Sequence, residues 1–313
     1  MKYVIKKIVT MIVTVLLVSF FVFVAFELIP GDPAVARLGT SATPEKVEAL
    51  REQMGLNRPF IVRYFSWLAE FVFGDMGTSY SYSMSVRTML AEKLPITITL
   101  TILSFIFIMI ISIPLGIYVT ERDGSRISKA VDIINQVLMA IPPFFSGMLI
   151  TYFFGLILGL FTPGGFISYT RSVGGFVVYL IFPAIAIALP KSAMTVRMLK
   201  SSILAEAGHD YVRTAYSRGN TTKDVLYNHV LKNAFIPVIT FLGMTLSDIV
   251  AGSLIVEQVF SIPGLGRLLV TSIANRDYPV VQAIIIMIVI VVVVINLLVD
   301  ILYRVIDPRI EHE

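Results

Sequence analysis

The residue types that carry out most enzyme chemistry are sparse in this 313-residue sequence. Cysteine is absent, which excludes disulfides, thiolate nucleophiles and thiolate metal sites. The histidines His209, His229 and His312 belong to no H-E-x-x-H motif. The sequence also contains neither a G-x-S-x-G nucleophile elbow nor a G-x-x-x-x-G-K-[ST] phosphate loop. We therefore expect no catalysis, no cofactor and no metal site in this chain.

Polar residues within apolar stretches are the remaining candidates for function. Asp248 lies midway along one such stretch, where a carboxylate facing lipid would cost about 2.5–3.5 kcal/mol. It should face a partner or a wet cavity, so it either lines a translocation pathway or bonds to a neighbouring subunit. Asn135 and Gln136 lie early in another stretch, and Glu257 lies near an end of the Asp248 stretch, where water is closer. We predict these four as pathway residues.

The composition indicates a membrane protein. Hydrophobic residues make up 56% of the chain and charged residues only 15%, against about 25% in soluble domains. Long uncharged runs predict membrane-spanning helices. They are Ile8–Phe26, Leu94–Thr120, Ile133–Thr170, Ser172–Pro190, Asn233–Val256 (interrupted by Asp248) and Val280–Val299. The third run breaks at Thr162-Pro163-Gly164-Gly165, which leaves one helix from about Val131 to Leu160 and six spans in all.

The first apolar run has two interpretations. Three lysines precede it, and Ala34-Val35-Ala36 imitates a signal-peptide cleavage site. However, the run is 19 residues long, beyond the ~7–15 of a signal peptide's apolar region. We therefore predict that residues 1–29 form an uncleaved transmembrane helix.

Basic residues mark one side of the membrane. Lys2, Lys6 and Lys7 precede the first span and place the N-terminus in the cytoplasm by the positive-inside rule. Alternation of six spans puts three further segments on that side, and all are basic. The first contains Arg122, Arg126 and Lys129, the second is Lys191–Lys232, and the third contains Arg304 and Arg309 near the C-terminus. The basic residues form no aromatic-laced stripe, so we expect no nucleic-acid partner.

The segment 30–93 between the first two spans is predicted to be extracytoplasmic. Thr43, Pro44 and Glu45 match an N-cap, a proline at the first helical position and an acidic first turn. Further on, apolar residues recur at helical spacing from Phe60 to Phe71 and include the only tryptophan. This second helix either lies at the membrane interface or belongs to a small packed subdomain.

Prolines within the predicted spans indicate kinks. Proline lacks a backbone donor and clashes with the preceding turn, so a helix bends or breaks where it occurs. The positions are Pro114, Pro142-Pro143, Pro183 and Pro237. Such kinks either line a pathway or reflect ordinary packing irregularity.

The polar segment Lys191–Lys232 carries seven basic and three acidic residues between two spans. Glu206–Arg218 lacks proline and predicts a short helix, which ends at Gly219 because glycine readily adopts the left-handed conformation. Thr221 and Asp224 match a capping box and predict a second helix. The first helix has a small apolar face, which either docks into a groove on another protein or packs within the hairpin. This face consists of Tyr211, Val212, Ala215 and Tyr216.

A series of short motifs runs in order from residue 29 to residue 309. The longest are Asp210-Tyr211-Val212-Arg213-Thr214-Ala215-x-x-x-Gly219 and His229-x-Leu231-Lys232-Asn233-Ala234-x-x-Pro237. The others are Ile29-Pro30-Gly31-Asp32-Pro33, Gly74-Asp75-Met76-Gly77, Ile113-Pro114-Leu115-Gly116, Glu257-x-x-Phe260-x-x-Pro263-Gly264-Leu265-Gly266, Arg276-Asp277-Tyr278-Pro279, Asn296-Leu297-Leu298-Val299-Asp300 and Asp307-Pro308-Arg309. Together they resemble the dipeptide/oligopeptide (and nickel) permease family of ABC importers, in its first, B-type membrane subunit.

The resemblance implies the ABC type I importer permease fold, with a core over residues 94–309 and a coupling segment at about 201–235. It makes six residues candidates for coupling to an ATPase: Asp210, Tyr211, Arg213, Thr214, Ala215 and Gly219. Arg213-Thr214-Ala215 occupies the place of the Glu-Ala-Ala found in the wider importer motif, so a salt bridge made by that glutamate cannot be carried over.

The resemblance also implies partners and a location. The partners would be a second homologous permease forming a heterodimer, two cytoplasmic ATPases that use the ATP, and an extracytoplasmic substrate-binding lipoprotein. The chain would lie among the lipids of a bacterial or archaeal cell (inner) membrane as a multi-pass protein with both termini in the cytoplasm.

The cargo is left open between di- or oligopeptides, nickel or other metal chelates and another small solute. A different class, an ion-coupled secondary transporter or channel using Asp248, would need inverted repeats and further buried ionisable residues.

Overall fold

The computed structural model describes residues 2–28, 32–39 and 42–306 of the chain. The motif residues 29–31 and 307–309, and His312, lie outside them. The helices are α1 Lys2–Leu28, α2 Pro33–Leu38, α3 Pro44–Gln53, α4 Phe60–Val72, α5 Val86–Glu121, α6 Arg126–Ala140, α7 Pro143–Ile150, α8 Val173–Ala207, α9 Asp210–Ser217, α10 Thr222–Val225, α11 Leu231–Val259, α12 Leu265–Ala274 and α13 Tyr278–Ile306. Two π-helical segments, Thr151–Ile157 and Leu226–Val230, follow α7 and α10. Strands are absent from the described ranges apart from one bridge between Thr78 and Ser85, which confirms the all-α prediction.

Within the described residues, five helical stretches are long and apolar enough to cross a membrane. They are Lys6–Leu28, Val86–Glu121, Val173–Ala207, Thr222–Val259 and Tyr278–Ile301. A sixth span is present if α6 and the helix Pro143–Ile157 count as one crossing. The two parts are bent by 104°.

The predicted disruption at Pro142-Pro143 is confirmed, but the segment expected as one kinked helix from about Val131 to Leu160 is divided there into two helices. Ile141 and Pro142 both adopt extended backbone conformations, and α7 begins at Pro143. A residue before proline is pushed out of the helical region, and Pro143 has no N–H to donate to the preceding turn. Two consecutive prolines thus end one helix and begin another.

The other prolines are accommodated within helices. α5 continues through Pro114, α8 through Pro183 and Pro190, and α11 through Pro237. α8 also extends 17 residues beyond the predicted end of its span at Pro190. The first part of the polar segment is thus a continuation of a spanning helix, in which Val196, Leu199 and Ile203 are buried.

The chain divides into two compact units, the first formed by residues 1–96 and 263–294. Here the predicted N-cap Thr43 accepts a hydrogen bond from the Lys46 N–H at the start of α3. α4 packs its aromatic residues against α1, and the Tyr64 and Ser19 hydroxyls are hydrogen-bonded at 2.8 Å. The opposite face of α4 exposes Ile61 and Phe65. The helix therefore has a packed side and an exposed apolar side.

A buried carboxylate organises another part of the first unit. Asp277 is inaccessible to solvent and accepts hydrogen bonds from the Ser79 hydroxyl and from the backbone N–H groups of Tyr80 and Ser81. Its partners lie in the turn that connects the bridged residues Thr78 and Ser85. Asp277 thereby fixes the conformation of this turn.

The second unit comprises residues 97–262 and 295–313, and its centre is α8. This helix packs against α6, α7 and α11. Glycine allows helices of this unit to approach each other closely, as two examples show. A side chain at Gly116 would meet Leu199 of α8, and one at Gly243 of α11 would overlap Val299 of α13.

Candidate functional site

The predicted coupling residues lie on and around the short helix α9. Residues 206 and 207 belong to α8 instead, so the expectation of a helix beginning at Glu206 is wrong. His209 occupies the N-cap position in an extended conformation and separates the two helices. Of the predicted apolar face, Val212 and Ala215 are buried, in a helix that contacts α10 and the π-helical segment.

The remainder of α9 is exposed. The side chains of Asp210 and Arg213 are 97% and 78% exposed and form an ion pair at 3.7 Å. Such a surface pair contributes little to stability. Thr214 bonds back to the Asp210 carbonyl, and Tyr216 is exposed. α9 thus packs one narrow face within the hairpin and leaves a charged face available to another molecule.

The turn after α9 has the predicted geometry. Gly219 adopts φ +85°, and its N–H bonds to the Tyr216 carbonyl at 2.9 Å. The Asn220 side chain donates to the Ala215 carbonyl at 3.0 Å. Thr221 and Asp224 form both bonds of the capping box, which is confirmed. These contacts fix the direction of the chain between α9 and α10.

Tyr211 connects α9 to two spanning helices. Its hydroxyl donates to the Glu206 Oε1 atom of α8 at 2.6 Å. The Asn233 side chain of α11 donates to the same Oε1 atom at 3.0 Å and to the Tyr211 hydroxyl at 3.2 Å. Burial and the hydrogen bond to Glu206 raise the pKa of Tyr211 above its ordinary value. We call Glu206, Tyr211 and Asn233 the junction cluster.

Two members of the junction cluster are not among the site residues predicted from the sequence. Glu206 lies in the predicted hairpin helix, and Asn233 lies in the motif that begins at His229. Both are polar residues at the ends of spanning helices, flanking the α9 hairpin. That position is the signal in the sequence by which they could be found.

Asp248 forms an ion pair with Lys191 of α8, with 2.7 Å between Oδ2 and Nζ. The charge pattern places Lys191 at the start of the polar segment, whereas in the structure it lies near the middle of a 35-residue helix. The Asp248 side chain is 63% exposed and that of Lys191 only 19%. The carboxylate therefore has a partner and also faces open space.

α8 and α11 are linked at three levels. At one end, Glu206 accepts a bond from Asn233. Near the middle lies the ion pair of Lys191 and Asp248. Toward the other end, the Tyr179 hydroxyl donates to the Phe260 carbonyl at 2.9 Å. These bonds, together with the packing of the two helices, favour movement of α8 and α11 as one body.

Glu257 has a more enclosed position than its place in the sequence indicates. Its side chain is inaccessible to solvent, and its Oε1 atom accepts a hydrogen bond from the Thr97 hydroxyl at 2.5 Å. The expectation of nearby water is wrong, because the residues around this end of α11 cover the carboxylate.

Asn135 and Gln136 line a cleft of about 370 Å³ beside α6 and α8. Asp248 and Glu257 are not among its lining residues, so the four predicted pathway residues do not form one site. Lys200 lies in this cleft and is bound by Asp132 at 2.8 Å and by Asp123 at 2.9 Å. The hydrogen bond and charge of Lys200 lower the pKa of Asp123.

Comparison with known proteins decides the family. The family described as "Binding-protein-dependent transport system inner membrane component" matches residues 112–312, and the N-terminal component of such systems matches residues 1–101. The chain belongs to the binding-protein-dependent transport system inner membrane components. This membership confirms the resemblance to ABC importer permeases and makes the permease a multi-pass protein of the inner membrane.

Relatives match the permease along almost its entire length. The oligopeptide transport system permease protein AppB of Bacillus subtilis is 36% identical over 313 residues, with 99% of each chain covered. The "Probable peptide ABC transporter permease protein y4tP" of Sinorhizobium fredii is 33% identical over 310 residues, again with 99% of each covered.

The fold of the permease has a solved counterpart. The inward-facing MetNI methionine ABC transporter matches with a TM-score of 0.56 and 17% identity, covering 70% of this chain and 96% of that one. At this identity the likeness concerns the fold alone. It confirms the type I importer permease fold.

Proposed function

We propose that the permease is one of two homologous membrane subunits of an ATP-driven importer that takes up peptides by alternating access. The observation that carries this proposal is the placement of α9: the junction cluster holds it against α8 and α11, and its charged face is exposed. Two relatives over the whole length are named for peptide or oligopeptide transport, which supports peptides as the cargo.

The basic residues support a cytoplasmic location for α9 and for both termini. Lys6 and Lys7 near the start of α1 and the basic residues that flank α9 would then lie on the same side. The segment between α1 and α5 would face the binding lipoprotein on the outside.

The energy would come from two partner ATPases. We place α9 in a cleft of one ATPase, with Asp210, Arg213 and Thr214 on the exposed face that contacts it. A second, homologous permease would complete the membrane part. ATP-driven closure of the two ATPases would then displace α9.

The contacts of the permease provide a route for this displacement. A shift of α9 acts through the Tyr211 hydroxyl on Glu206 and Asn233, which lie at the adjoining ends of α8 and α11. Because these helices are bonded to each other at three levels, the shift moves them together. Rigid-body movement of such a pair would switch the pathway between inward and outward openings.

ATP-dependent uptake of labelled di- and tripeptides into liposomes tests the proposal. The liposomes contain this permease, its partner permease and both ATPases, with the binding protein added outside. Reversal of charge in Arg213→Glu should lower uptake about tenfold or more, because a positive charge on the face proposed to contact the ATPase becomes negative. Arg171→Glu, at an exposed arginine outside α9, is the matched control and should retain uptake.

Each alternative has its own outcome in this assay. Uptake that persists without the ATPases and follows an ion gradient would replace the proposal with a secondary transporter. Binding of nickel chelates but not peptides by the purified binding protein would keep the importer and change its cargo.

A further inference from the structure

Lys191 and Asp248 form the middle one of the three links between α8 and α11. We propose that this pair is a site on the transport pathway for the charged ends of a peptide, and that the Asp248 carboxylate binds the protonated N-terminal amine. This inference rests on the proposed function and names the chemical groups that the permease recognises. The position, exposure and chemistry of the two side chains support it.

The pair lies well inside the spanning helices. At 1.5 Å per residue, Lys191 is about 24 Å along α8 from Ala207, and Asp248 is about 25 Å along α11 from Leu231. Asp248 lies about 16 Å from the other end of α11, at Val259. Charged residues within membrane-spanning helices are rare because they are costly to insert, and those present often mark substrate or ion pathways.

The two members of the pair differ in exposure. Lys191 is 19% exposed, so most of its side chain is covered, whereas Asp248 is 63% exposed. Met244 and Ile255, one and two turns away on the same face of α11, are also exposed. Asp248 is the only charged residue between them. It therefore presents a carboxylate on a stretch of α11 that contains no other charged residue.

A zwitterionic peptide is suited to exchange with this pair. Its ammonium group is of the same kind as the Lys191 ammonium and can take the place of Lys191 beside the Asp248 carboxylate. Lys191 is then free to bind the C-terminal carboxylate of the peptide. Each charge keeps an opposite partner during the exchange, which avoids the large cost of an unpaired charge in a low-dielectric region. Between transport events, Lys191 occupies the site.

The test compares peptides with free and acetylated N-termini in the complete reconstituted importer. Uptake is measured at saturating, fully loaded binding protein, and the result is the ratio of the two rates. Because every complex contains the same binding protein, a change in the ratio reports on the permease. Asp248→Asn should lower the preference for the free amine about tenfold, the scale of a charge-assisted hydrogen bond. An unchanged ratio would overturn the inference.

A charge exchange separates recognition from folding. Lys191→Asp with Asp248→Lys restores an ion pair and should preserve the amount of assembled complex. However, it places an ammonium where the peptide amine binds, so acetylated peptide should now be preferred. A wild-type ratio in this variant would show that the pair is only structural and would refute the inference.

Glu27→Gln provides the matched control. It removes a carboxylate from another ion pair, with Arg63 in the first unit, and should leave the ratio unchanged. A shifted ratio in this control would also overturn the inference, since the effect would not be specific to Asp248. Failure of the wild-type complex to import any peptide would refute the proposed function instead. Import with a constant ratio in all variants would refute the inference alone.

Discussion

The hydroxyl of Tyr211 offers the sharpest test of how α9 acts on the spanning helices. Tyr211→Phe removes the bond to Glu206 and the bond from Asn233, while the ring and the helix are kept. Glu206 retains its bond from Asn233 at 3.0 Å, so the carboxylate loses one partner of two in this cluster. α9 loses both of its bonds to that cluster, one to a carboxylate and one to an amide.

The expected size of the effect follows from those bonds. A hydrogen bond to a charged group is worth about 1.5–3 kcal/mol, and the 38% exposure of Tyr211 places the loss near the lower limit. About 1.4 kcal/mol corresponds to a tenfold change in an equilibrium between conformations. We therefore expect Tyr211→Phe to reduce the peptide imported per ATP hydrolysed by about tenfold, with little loss of assembled complex.

The assay measures uptake and ATP hydrolysis in the same liposomes and reports their ratio. Glu206→Gln, which keeps an acceptor without its charge, should give an intermediate ratio. Tyr152→Phe removes a hydroxyl from an exposed tyrosine outside the junction cluster and should behave as wild type. A wild-type ratio of uptake to hydrolysis in Tyr211→Phe would refute the role of this hydroxyl in transmitting movement.

Three further predictions concern the framework. Gly219→Ala should destabilise the α9 hairpin by about 1–2 kcal/mol and Gly219→Asn by less, as measured by thermal unfolding, because the position has φ +85° and open space around it. Gly243→Ala should cost about 1–3 kcal/mol through overlap with Val299, and Val299→Ala in the same chain should recover most of it; no recovery would contradict the contact. Because Lys200 lowers the folded-state pKa of Asp123, this carboxylate stabilises the fold above its unfolded pKa of 3.8 and the effect is lost as pH falls through the folded-state value. Asp123→Asn should therefore reduce the loss of stability on acidification below pH 3.8, measured by unfolding at a series of pH values. The same loss of stability in the wild type and the variant would contradict this prediction.

The features that the sequence predicts well are encoded within a few neighbouring residues. The capping box depends on Thr221 and Asp224, three positions apart, and the turn depends on glycine at 219. The spans follow from uninterrupted apolar runs, since lipid imposes the same demand on every residue of a crossing. The break at Pro142-Pro143 is also local, but the prolines do not by themselves specify the angle of 104° between the two helices, both of which pack on α8.

The features that the sequence leaves open join distant residues. Glu206 and Asn233 meet across 27 positions, and Lys191 and Asp248 across 57. Charge counting places Lys191 in the polar segment, because a basic residue at the end of an apolar run normally marks the membrane boundary. Only the packing of α8 on α11 shows that the helix continues and that an aspartate is available to compensate the charge.

Composition and local backbone preferences in the sequence predict a helical membrane protein with a capped hairpin between two spans, and the ordered motifs add the resemblance to a permease family. The tertiary structure alone decided which polar residues meet: Tyr211 with α8 and α11, Asp248 with Lys191, and Glu257 with Thr97. The physical reason is that burying a charged or polar group is favourable only with a suitable partner. In a helical bundle, that partner is chosen by the packing of helices far apart in the chain.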